Sequence, residues 1–227
     1  MSRCLFIAGT ATDVGKTFIS ALVVKCLRDS GLNAGYYKAA ASGVELDDAG
    51  KLIGGDPIYV NDFAGIGEET ENLVSYVYAQ PVSPHLAARI NNRPIEFSVV
   101  EHDFNRAKAK YDYLVIEGSG GVICPLRWDN GSHFMLLDMV RALNLPILLV
   151  ADAGLGTINS TVLTVDYLRR NDFKINALIL NHFSEQTMEM DNLEMIEEMT
   201  ELPVIAKVKF GDNRLEVNLD ILKNLFI

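Results

Sequence analysis

A short segment near the N-terminus constrains the fold more than any other feature of the sequence. Residues 9–17 read GTATDVGKT and join an apolar strand to an amphipathic helix, 16–29. Free N–H groups at the start of a helix, together with the helix dipole, attract phosphate oxygens. Gly15 allows close backbone approach, and the Lys16 ammonium and Thr17 hydroxyl suit phosphate oxygens and magnesium. The segment therefore predicts a phosphate-binding loop that holds ATP with magnesium.

The loop departs from the usual pattern at one position. Glycine usually stands where this chain has Thr10, and here Gly9 precedes that position. The alternative is a strand–turn–helix corner in which Gly-Lys-Thr occurs by chance. The buried strand before the loop and the apolar helix face after it favour the phosphate-binding interpretation.

Apolar runs alternate with helical patterns along the rest of the chain, which is typical of a parallel sheet wrapped by helices. Strands are predicted at 34–38, 113–116, 146–151, 177–181 and 203–208, and helices at 135–143, 157–170, 187–200 and from about 219. The prediction is an α/β fold of the P-loop NTPase-like kind: a doubly wound, mostly parallel sheet with helices on both faces. Residues 1–227 are expected to form one domain, with an irregular stretch, 39–93, folded over the sheet edge.

Composition excludes several classes of partner. The net charge of −10 argues against binding nucleic acid or an anionic membrane through bulk charge. The apolar runs are far shorter than the ~20 residues that a membrane span needs. The three cysteines, Cys4, Cys26 and Cys124, lack metal-type spacing and suit free thiols in a reducing compartment. A cytoplasmic location is expected.

Two strand ends carry further polar residues. Lys38 ends the second predicted strand, and Glu117-Gly118-Ser119-Gly120-Gly121 follows a later one. Ligands of doubly wound sheets lie beyond the carboxyl ends of the strands, so Lys38 should face the crevice that Lys16 faces. Glu117 is the natural second magnesium ligand. The alternative for Lys38 is an ordinary surface lysine. The alternative for the Glu117 segment is an ordinary strand-ending turn.

Two other segments are ambiguous when taken alone. Asp56 follows Gly55 and precedes Pro57, a pattern typical of a helix N-cap. Residues 151–160 place glycines between a strand and a helix, which makes a helix N-terminus suited to an anion such as a carboxylate. The alternative for that segment is a capped strand–helix turn without a ligand.

Taken together, these segments resemble the ATP-dependent dethiobiotin synthetase family over almost the whole chain. The phosphate loop is common to many relatives, but its combination with Lys38-x-x-x-Ser42-Gly43 and the Glu117 segment is much more specific. Further matching motifs are Ser83-Pro84-His85, Arg93-Pro94-Ile95 and Gly154-Leu155-Gly156-Thr157-Ile158-Asn159-Ser160.

The resemblance implies a reaction and a set of residue roles. The substrates would be 7,8-diaminopelargonate, CO2 and ATP, and the product dethiobiotin would form through a carbamate and a carbamic–phosphoric anhydride. Thr17, Asp56 and Glu117 would hold magnesium, and Lys16 and Lys38 would act on the carbamate and the phosphoryl group, beside Thr12, Asp13 and Ser42. The nucleotide would contact Asp13, Val14, Gly15, Lys16, Thr17, Asp56, Glu117, Gly118, Ser119, Gly120, Asn181 and His182. A homodimer is implied, in which Gly156, Thr157, Ile158 and Asn159 of one subunit receive the substrate carboxylate of the other.

Two rival families share parts of this pattern. Partition and cell-division ATPases usually carry an extra lysine early in the phosphate loop, whereas residues 10–13 read TATD. Amide-forming synthetases that act on corrinoids usually carry a glutamine-hydrolysing domain, which this sequence does not predict.

The sequence departs from the dethiobiotin synthetase pattern at three places: Ala39 replaces a proline, Val122 replaces an aromatic residue, and 209–211 lacks the expected proline.

Overall fold

The computed structural model describes residues 2–49 and 51–227. In chain order their strands are β1 (Arg3–Gly9), β2 (Ala34–Ser42), β3 (Glu45–Leu46), β4 (Leu52–Gly54), β5 (Val74–Tyr78), β6 (Tyr113–Glu117), β7 (Pro125–Asp129), β8 (Ser132–Met135), β9 (Ile147–Asp152), β10 (Ile175–Asn181) and β11 (Val204–Val208). Their α-helices are α1 (Lys16–Asp29), α2 (Asp56–Phe63), α3 (Pro84–Ile90), α4 (Phe97–Lys110), α5 (Leu136–Ala142), α6 (Thr157–Arg170), α7 (Thr187–Thr200) and α8 (Leu219–Asn224).

The main sheet has seven strands in the order β11-β10-β9-β1-β6-β2-β5, and every neighbouring pair is parallel. Because β6 lies between β1 and β2, the carboxyl ends of these three strands are adjacent. Two short antiparallel pairs, β3–β4 and β7–β8, stand apart from this sheet. A crevice where the strand order reverses is the usual ligand site of such a fold.

Side-chain alternation in the central strand supplies both halves of the core. Leu5 and Ile7 of β1 pack in the layer that contains α1, α2 and α8, whereas Phe6 and Ala8 pack in the layer that contains α3 to α7. Neither face of such a strand contacts solvent, so its sequence is a continuous apolar run. The predicted α/β fold, with a doubly wound parallel sheet between two helical layers, is confirmed.

The segment 39–93 is more regular than its sequence predicted. Strand β2 continues to Ser42, and β5 forms the edge of the main sheet beside β2. Helices α2 and α3 also lie in this segment. The prediction of an irregular stretch is wrong there, because glycines such as Gly55 and Gly65 adopt positive φ between short regular elements and do not interrupt the whole segment.

Helix α4 was missing from the sequence prediction. Its buried side chains, Val100, Phe104 and Ala107, are spaced by four and three residues, which is a helical signal that the sequence did contain. The longest helices have 14 residues. None of the helices in the described residues is both long and apolar enough to cross a membrane.

Glu68 ties the segment before β5 to the end of α4. Its carboxylate accepts hydrogen bonds from Asn72 Nδ2 at 3.0 Å and from the Tyr111 hydroxyl at 2.8 Å, and it pairs with Lys110. Burial by itself would raise the pKa of Glu68, but the hydrogen bonds from Lys110, Tyr111 and Asn72 outweigh burial and lower the pKa to about 2. The ionised carboxylate therefore stabilises the fold.

We expect Glu68→Gln to lower the free energy of unfolding by about 1–2 kcal/mol near neutral pH, because a charged acceptor is lost. The folded pKa lies below the ordinary value of 4.5, so this stabilisation is present above that pH and is lost as the pH falls toward about 2. Urea titrations of both proteins from about pH 7 down to about pH 3.5 measure the difference. It should shrink with falling pH, and a constant difference would contradict the assignment. Glu69→Gln, at an exposed neighbouring position, is the control and should change little.

Candidate active site

A cavity of about 400 Å³ opens at the carboxyl ends of β1, β2 and β6. Four segments far apart in sequence form its walls: the phosphate loop, the end of β2, the start of α2 and the turn after β6. The sequence-predicted site residues that line it are Thr12, Asp13, Gly15, Lys16, Thr17, Lys38, Ser42, Asp56, Glu117, Gly118, Ser119 and Gly120. The structure therefore brings most of the predicted site into one cavity.

The phosphate loop presents backbone N–H donors to this cavity. Gly15 precedes the first residue of α1 with φ 89°, and none of the described side chains caps the N–H groups of that helix start. The first turn of α1 contains no acidic residue. Lys16 Nζ donates to the carbonyl oxygen of Ala11 at 2.9 Å, so the lysine side chain spans the loop. This arrangement makes a positive concavity suited to phosphate oxygens.

A buried lysine links two carboxylates at the opposite wall. Lys38 Nζ donates to Asp56 Oδ2 at 2.5 Å and to Glu117 Oε1 at 2.5 Å. Lys38 and Glu117 are register partners on neighbouring strands, which fixes their approach. Asp56 reaches the pair from the first turn of α2, where Gly55 rather than Asp56 is the N-cap. The interpretation of Asp56 as a helix N-cap is thus wrong, because its side chain turns toward the lysine.

The charges of this cluster determine its protonation states. Burial lowers the pKa of Lys16, and the neighbouring Lys38 ammonium lowers it further. Burial would also lower the pKa of Lys38, but the negative charges of Glu117 and Asp56 outweigh burial and raise this pKa. Burial would raise the pKa of Asp56, and the Lys38 ammonium reverses this and lowers it. Lys38 is therefore a permanent cation at neutral pH.

Glu117 is held at both of its oxygens. Thr17 Oγ1 donates to Glu117 Oε1 at 2.8 Å, and the hydroxyl of Tyr36 donates to Glu117 Oε2 at 2.9 Å. Burial first, and then the charge of Glu117, raises the pKa of Tyr36 well above its ordinary value, so the phenol stays protonated. Sequence reasoning missed Tyr36, although its position two residues before Lys38 on β2 places both side chains on one face of the strand.

The oxygen atoms gathered here fit a magnesium ion. The Thr17 hydroxyl lies 2.8 Å from Glu117 Oε1, and Glu117 Oε1 and Asp56 Oδ2 both lie 2.5 Å from Lys38 Nζ, so a hydroxyl and two carboxylates are close together beside the loop that suits phosphate. Among the described residues there is no cluster of three or more His, Cys, Asp or Glu side chains with metal-binding geometry. Magnesium does not require one, because it is usually held by one or two carboxylates, with phosphates and water completing the shell.

Asn181 and His182 lie behind the phosphate loop, at the end of β10. Asn181 Nδ2 donates to the carbonyl oxygen of Val14 at 3.1 Å, while Asn181 Oδ1 is buried and has no hydrogen-bond partner within the described part of the chain. His182 Nδ1 lies 2.6 Å from Asp152 Oδ2. The side chain of Val14 packs into the core, so only its backbone can contact a nucleotide.

The turn at the start of α6 does not line this cavity. Gly156 adopts φ 89° before the first residue of α6, Thr157 is buried, and Asn159 is exposed. Within residues 2–49 and 51–227, no side chain caps the start of this helix. The structure therefore does not bring Gly156, Thr157, Ile158 and Asn159 to the site of their own chain.

Known proteins with similar sequences cover the whole chain. A family model described as an AAA domain matches residues 3–213. The ATP-dependent dethiobiotin synthetase BioD of Brachyspira hyodysenteriae is 45% identical over 98% of this chain and 99% of its own length. The same enzyme of Clostridium botulinum is 41% identical over 100% of this chain and 99% of its own length. The chain belongs to the ATP-dependent dethiobiotin synthetase family. The sequence resemblance to this family is confirmed.

Solved structures similar to this member of the dethiobiotin synthetase family include proteins of other families. The MinC:MinD cell division complex of Aquifex aeolicus matches 99% of this chain and 86% of its own with a TM-score of 0.58 at 14% identity. The septum site-determining protein MinD of Pyrococcus horikoshii, complexed with Mg-ADP, matches 92% of this chain and 82% of its own, with a TM-score of 0.51 at 15% identity. At such low identity this likeness shows the fold alone.

Two glycines with the same backbone angle provide a matched test of the loop geometry. Gly15 and Gly156 both have φ 89°, but a Cβ on Gly15 would lie 2.0 Å from Asn181 Nδ2, whereas a Cβ on Gly156 would meet no atom within 4 Å. We expect Gly156→Ala to lower the free energy of unfolding by about 1–2 kcal/mol, through backbone strain alone, and to leave ADP affinity unchanged. Gly15→Ala should additionally displace Asn181 and weaken ADP binding at least tenfold.

Isothermal titration with ADP, together with urea unfolding, measures both effects for the two variants. Equal loss of ADP affinity in Gly15→Ala and Gly156→Ala would show that the close approach of Asn181 to the loop has no role in nucleotide binding.

Proposed function

We propose that this protein catalyses the ATP-dependent carboxylation and ring closure of 7,8-diaminopelargonate with CO2, which gives dethiobiotin, ADP and phosphate. It is a carbon–nitrogen-forming cyclo-ligase of the dethiobiotin synthetase type, and residues 1–227 work as one catalytic domain. The single observation that carries this proposal is the Lys38 ammonium, held 2.5 Å from Asp56 and from Glu117 in the wall that faces the phosphate loop.

The reaction needs cations near two anions that must meet. One amine of the substrate takes up CO2 and releases a proton to form a carbamate. A carbamate oxygen then attacks the γ-phosphorus of ATP and ADP leaves, which gives a carbamic–phosphoric anhydride. The second amine attacks the anhydride carbonyl, phosphate leaves, and the cyclic urea closes. Carbamate and triphosphate repel each other, so fixed positive charge between them lowers the barrier.

The residues of the cavity supply this charge. Lys16 reaches the β- and γ-phosphates from the loop, and Lys38 lies at the opposite wall, where the carbamate would bind. Thr12, Asp13 and Ser42 border the substrate. A magnesium ion held by Thr17, Asp56 and Glu117 would offset part of the negative charge of the two carboxylates and of the triphosphate, leaving the Lys38 ammonium for the carbamate.

The nucleotide is placed by the loop backbone and by the end of β10. Asp13, Val14, Gly15, Lys16 and Thr17 surround the phosphates together with Gly118, Ser119 and Gly120. The buried Oδ1 of Asn181, which lacks a hydrogen-bond partner among the described residues and has His182 beside it, supports a contact of this strand end with the base. We assign a cytoplasmic location to the enzyme, since Cys4, Cys26 and Cys124 are all free thiols.

Loss of the Lys38 charge should affect turnover much more than nucleotide affinity. We expect Lys38→Gln to reduce dethiobiotin formation about 10²–10³-fold, as removal of one preorganised charged donor typically does. ATP affinity should change little, because Lys16 and the loop N–H groups still hold the phosphates. Lys16→Gln is the comparison and should reduce both quantities.

Dethiobiotin is measured by mass spectrometry after incubation with diaminopelargonate, bicarbonate, magnesium and ATP, and ATP binding is measured by titration. Near-normal turnover in Lys38→Gln would remove this residue from the mechanism. Absence of dethiobiotin with the unaltered protein would overturn the proposed reaction itself.

A homodimer completes the site in this proposal. Leu155, just before α6, is 92% exposed, and Leu163 on α6 is 61% exposed. Asn159, Leu163 and Tyr167 follow one another at four-residue spacing and thus lie on one face of α6. An isologous contact along this face would bury the apolar side chains and place the uncapped turn Gly156–Asn159 near the partner's cavity, where its N–H groups suit the substrate carboxylate.

We expect Leu163→Glu to separate the subunits, because it places a charge in an apolar contact. Turnover at low substrate concentration should fall at least tenfold, since each cavity then lacks the turn from its partner. Ile221→Glu is the control: Ile221 is also an exposed aliphatic residue, but α8 lies in the opposite layer. Light scattering and the dethiobiotin assay report the two effects. A Leu163→Glu monomer with full activity would refute the shared site.

A further inference from the structure

The two oxygens of the Glu117 carboxylate have different partners. Oε1 accepts hydrogen bonds from Thr17 and from Lys38, both of which line the cavity. Oε2 accepts from the hydroxyl of Tyr36, and this hydrogen bond is buried. Only one oxygen of Glu117 is therefore directed to the cavity, and the other is engaged within the protein.

Tyr36 is placed for this contact by the pleat of β2. Tyr36 and Lys38 lie on one face of the strand, and both reach Glu117 on the adjacent strand β6. Tyr36 is fully buried among the residues of the α1 layer and does not line the cavity. Tyr37 points to the opposite face, where its hydroxyl bonds Ser75 and the carbonyl oxygen of Val100.

We propose that Tyr36 is a positioning residue that engages Glu117 Oε2 and thereby restricts Glu117 to one-oxygen coordination of the metal, favouring magnesium over calcium. This inference rests on the proposed function, in which Glu117 is a magnesium ligand. Tyr36 touches neither substrate nor metal and acts only through Glu117.

The coordination chemistry of the two ions gives the physical reason. Magnesium requires near-octahedral geometry and suits single carboxylate oxygens at short distance, whereas calcium accepts six to eight oxygens and often takes both oxygens of one carboxylate. A carboxylate anchored at one oxygen cannot rotate both oxygens toward an ion without breaking its buried hydrogen bond. Hydrogen bonds to metal ligands of this kind typically change metal affinity about 10–100-fold when they are removed.

Tyr36→Phe removes the hydroxyl and keeps the ring. We expect the affinity of the enzyme–ADP complex for magnesium, measured by competition against Mn2+ with electron paramagnetic resonance, to fall about 10–100-fold. ADP affinity without metal should stay within about twofold, because Lys16 and the loop N–H groups are unchanged. The ratio of calcium to magnesium affinity should rise, since Glu117 is then free to turn both oxygens toward the ion.

Tyr37→Phe is the matched control. Tyr37 is also fully buried on β2, and its hydroxyl also makes hydrogen bonds, but these lie on the other face of the sheet. Tyr37→Phe should lower the melting temperature and leave magnesium affinity and the calcium-to-magnesium ratio unchanged. Equal loss of magnesium affinity in the two variants would mean general loosening of β2 and would overturn the role of Tyr36.

A Glu117→Gln variant separates failure of this inference from failure of the proposed function. Wild-type magnesium affinity in Glu117→Gln would overturn the metal site and the inference with it. Loss of affinity in Glu117→Gln with wild-type affinity and ion preference in Tyr36→Phe would overturn the role of Tyr36 alone.

A crystal structure of the unaltered protein with magnesium and ADP tests the same inference if Tyr36→Phe fails to fold. Glu117 should face the ion through Oε1 only, with Tyr36 still bonded to Oε2. Both oxygens of Glu117 directed at the ion would overturn the proposal.

Discussion

The ion pairs of one buried lysine hold the active-site wall together. Lys38 in the middle of β2 contacts Asp56 at the start of α2 and Glu117 at the end of β6. A buried ammonium is costly unless it is paired, so the two carboxylates must stay where they are for Lys38 to remain charged. The same contacts place the cation and the candidate metal ligands at fixed positions. The stability of the active-site wall and the placement of its charged groups therefore depend on the same three side chains.

A second constraint is the close approach of β10 to the phosphate loop. The Asn181 amide lies directly under Gly15 and bonds the carbonyl oxygen of Val14, so the loop rests on the end of a neighbouring strand. A glycine is required at position 15 for space as well as for its positive φ. The hydrogen bond from Asn181 therefore supports the loop from the side of the sheet.

The fold by itself does not separate this enzyme from its structural neighbours. A ParA family ATPase of Chlorobium tepidum has a similar fold, with a TM-score of 0.56 at 12% identity. What distinguishes the present chain lies around the cavity, where Lys38 of β2, Asp56 of α2 and Glu117 of β6 face the loop. A sheet of this kind provides a crevice at a fixed place, and the side chains there decide which reaction it supports.

The sequence by itself determined the local features. Helices α1, α6 and α7 begin and end where their apolar periodicity predicts, and the phosphate loop follows from the order strand, GTATDVGKT, helix. Such features depend on contacts within a few residues, so a pattern in the sequence is enough. Only the tertiary structure decided that β5 is the edge strand, that Asp56 turns to Lys38, and that Tyr36 holds Glu117. These contacts join residues 18 and 81 positions apart, and they exist because strand order and register bring distant segments side by side, which no local pattern encodes.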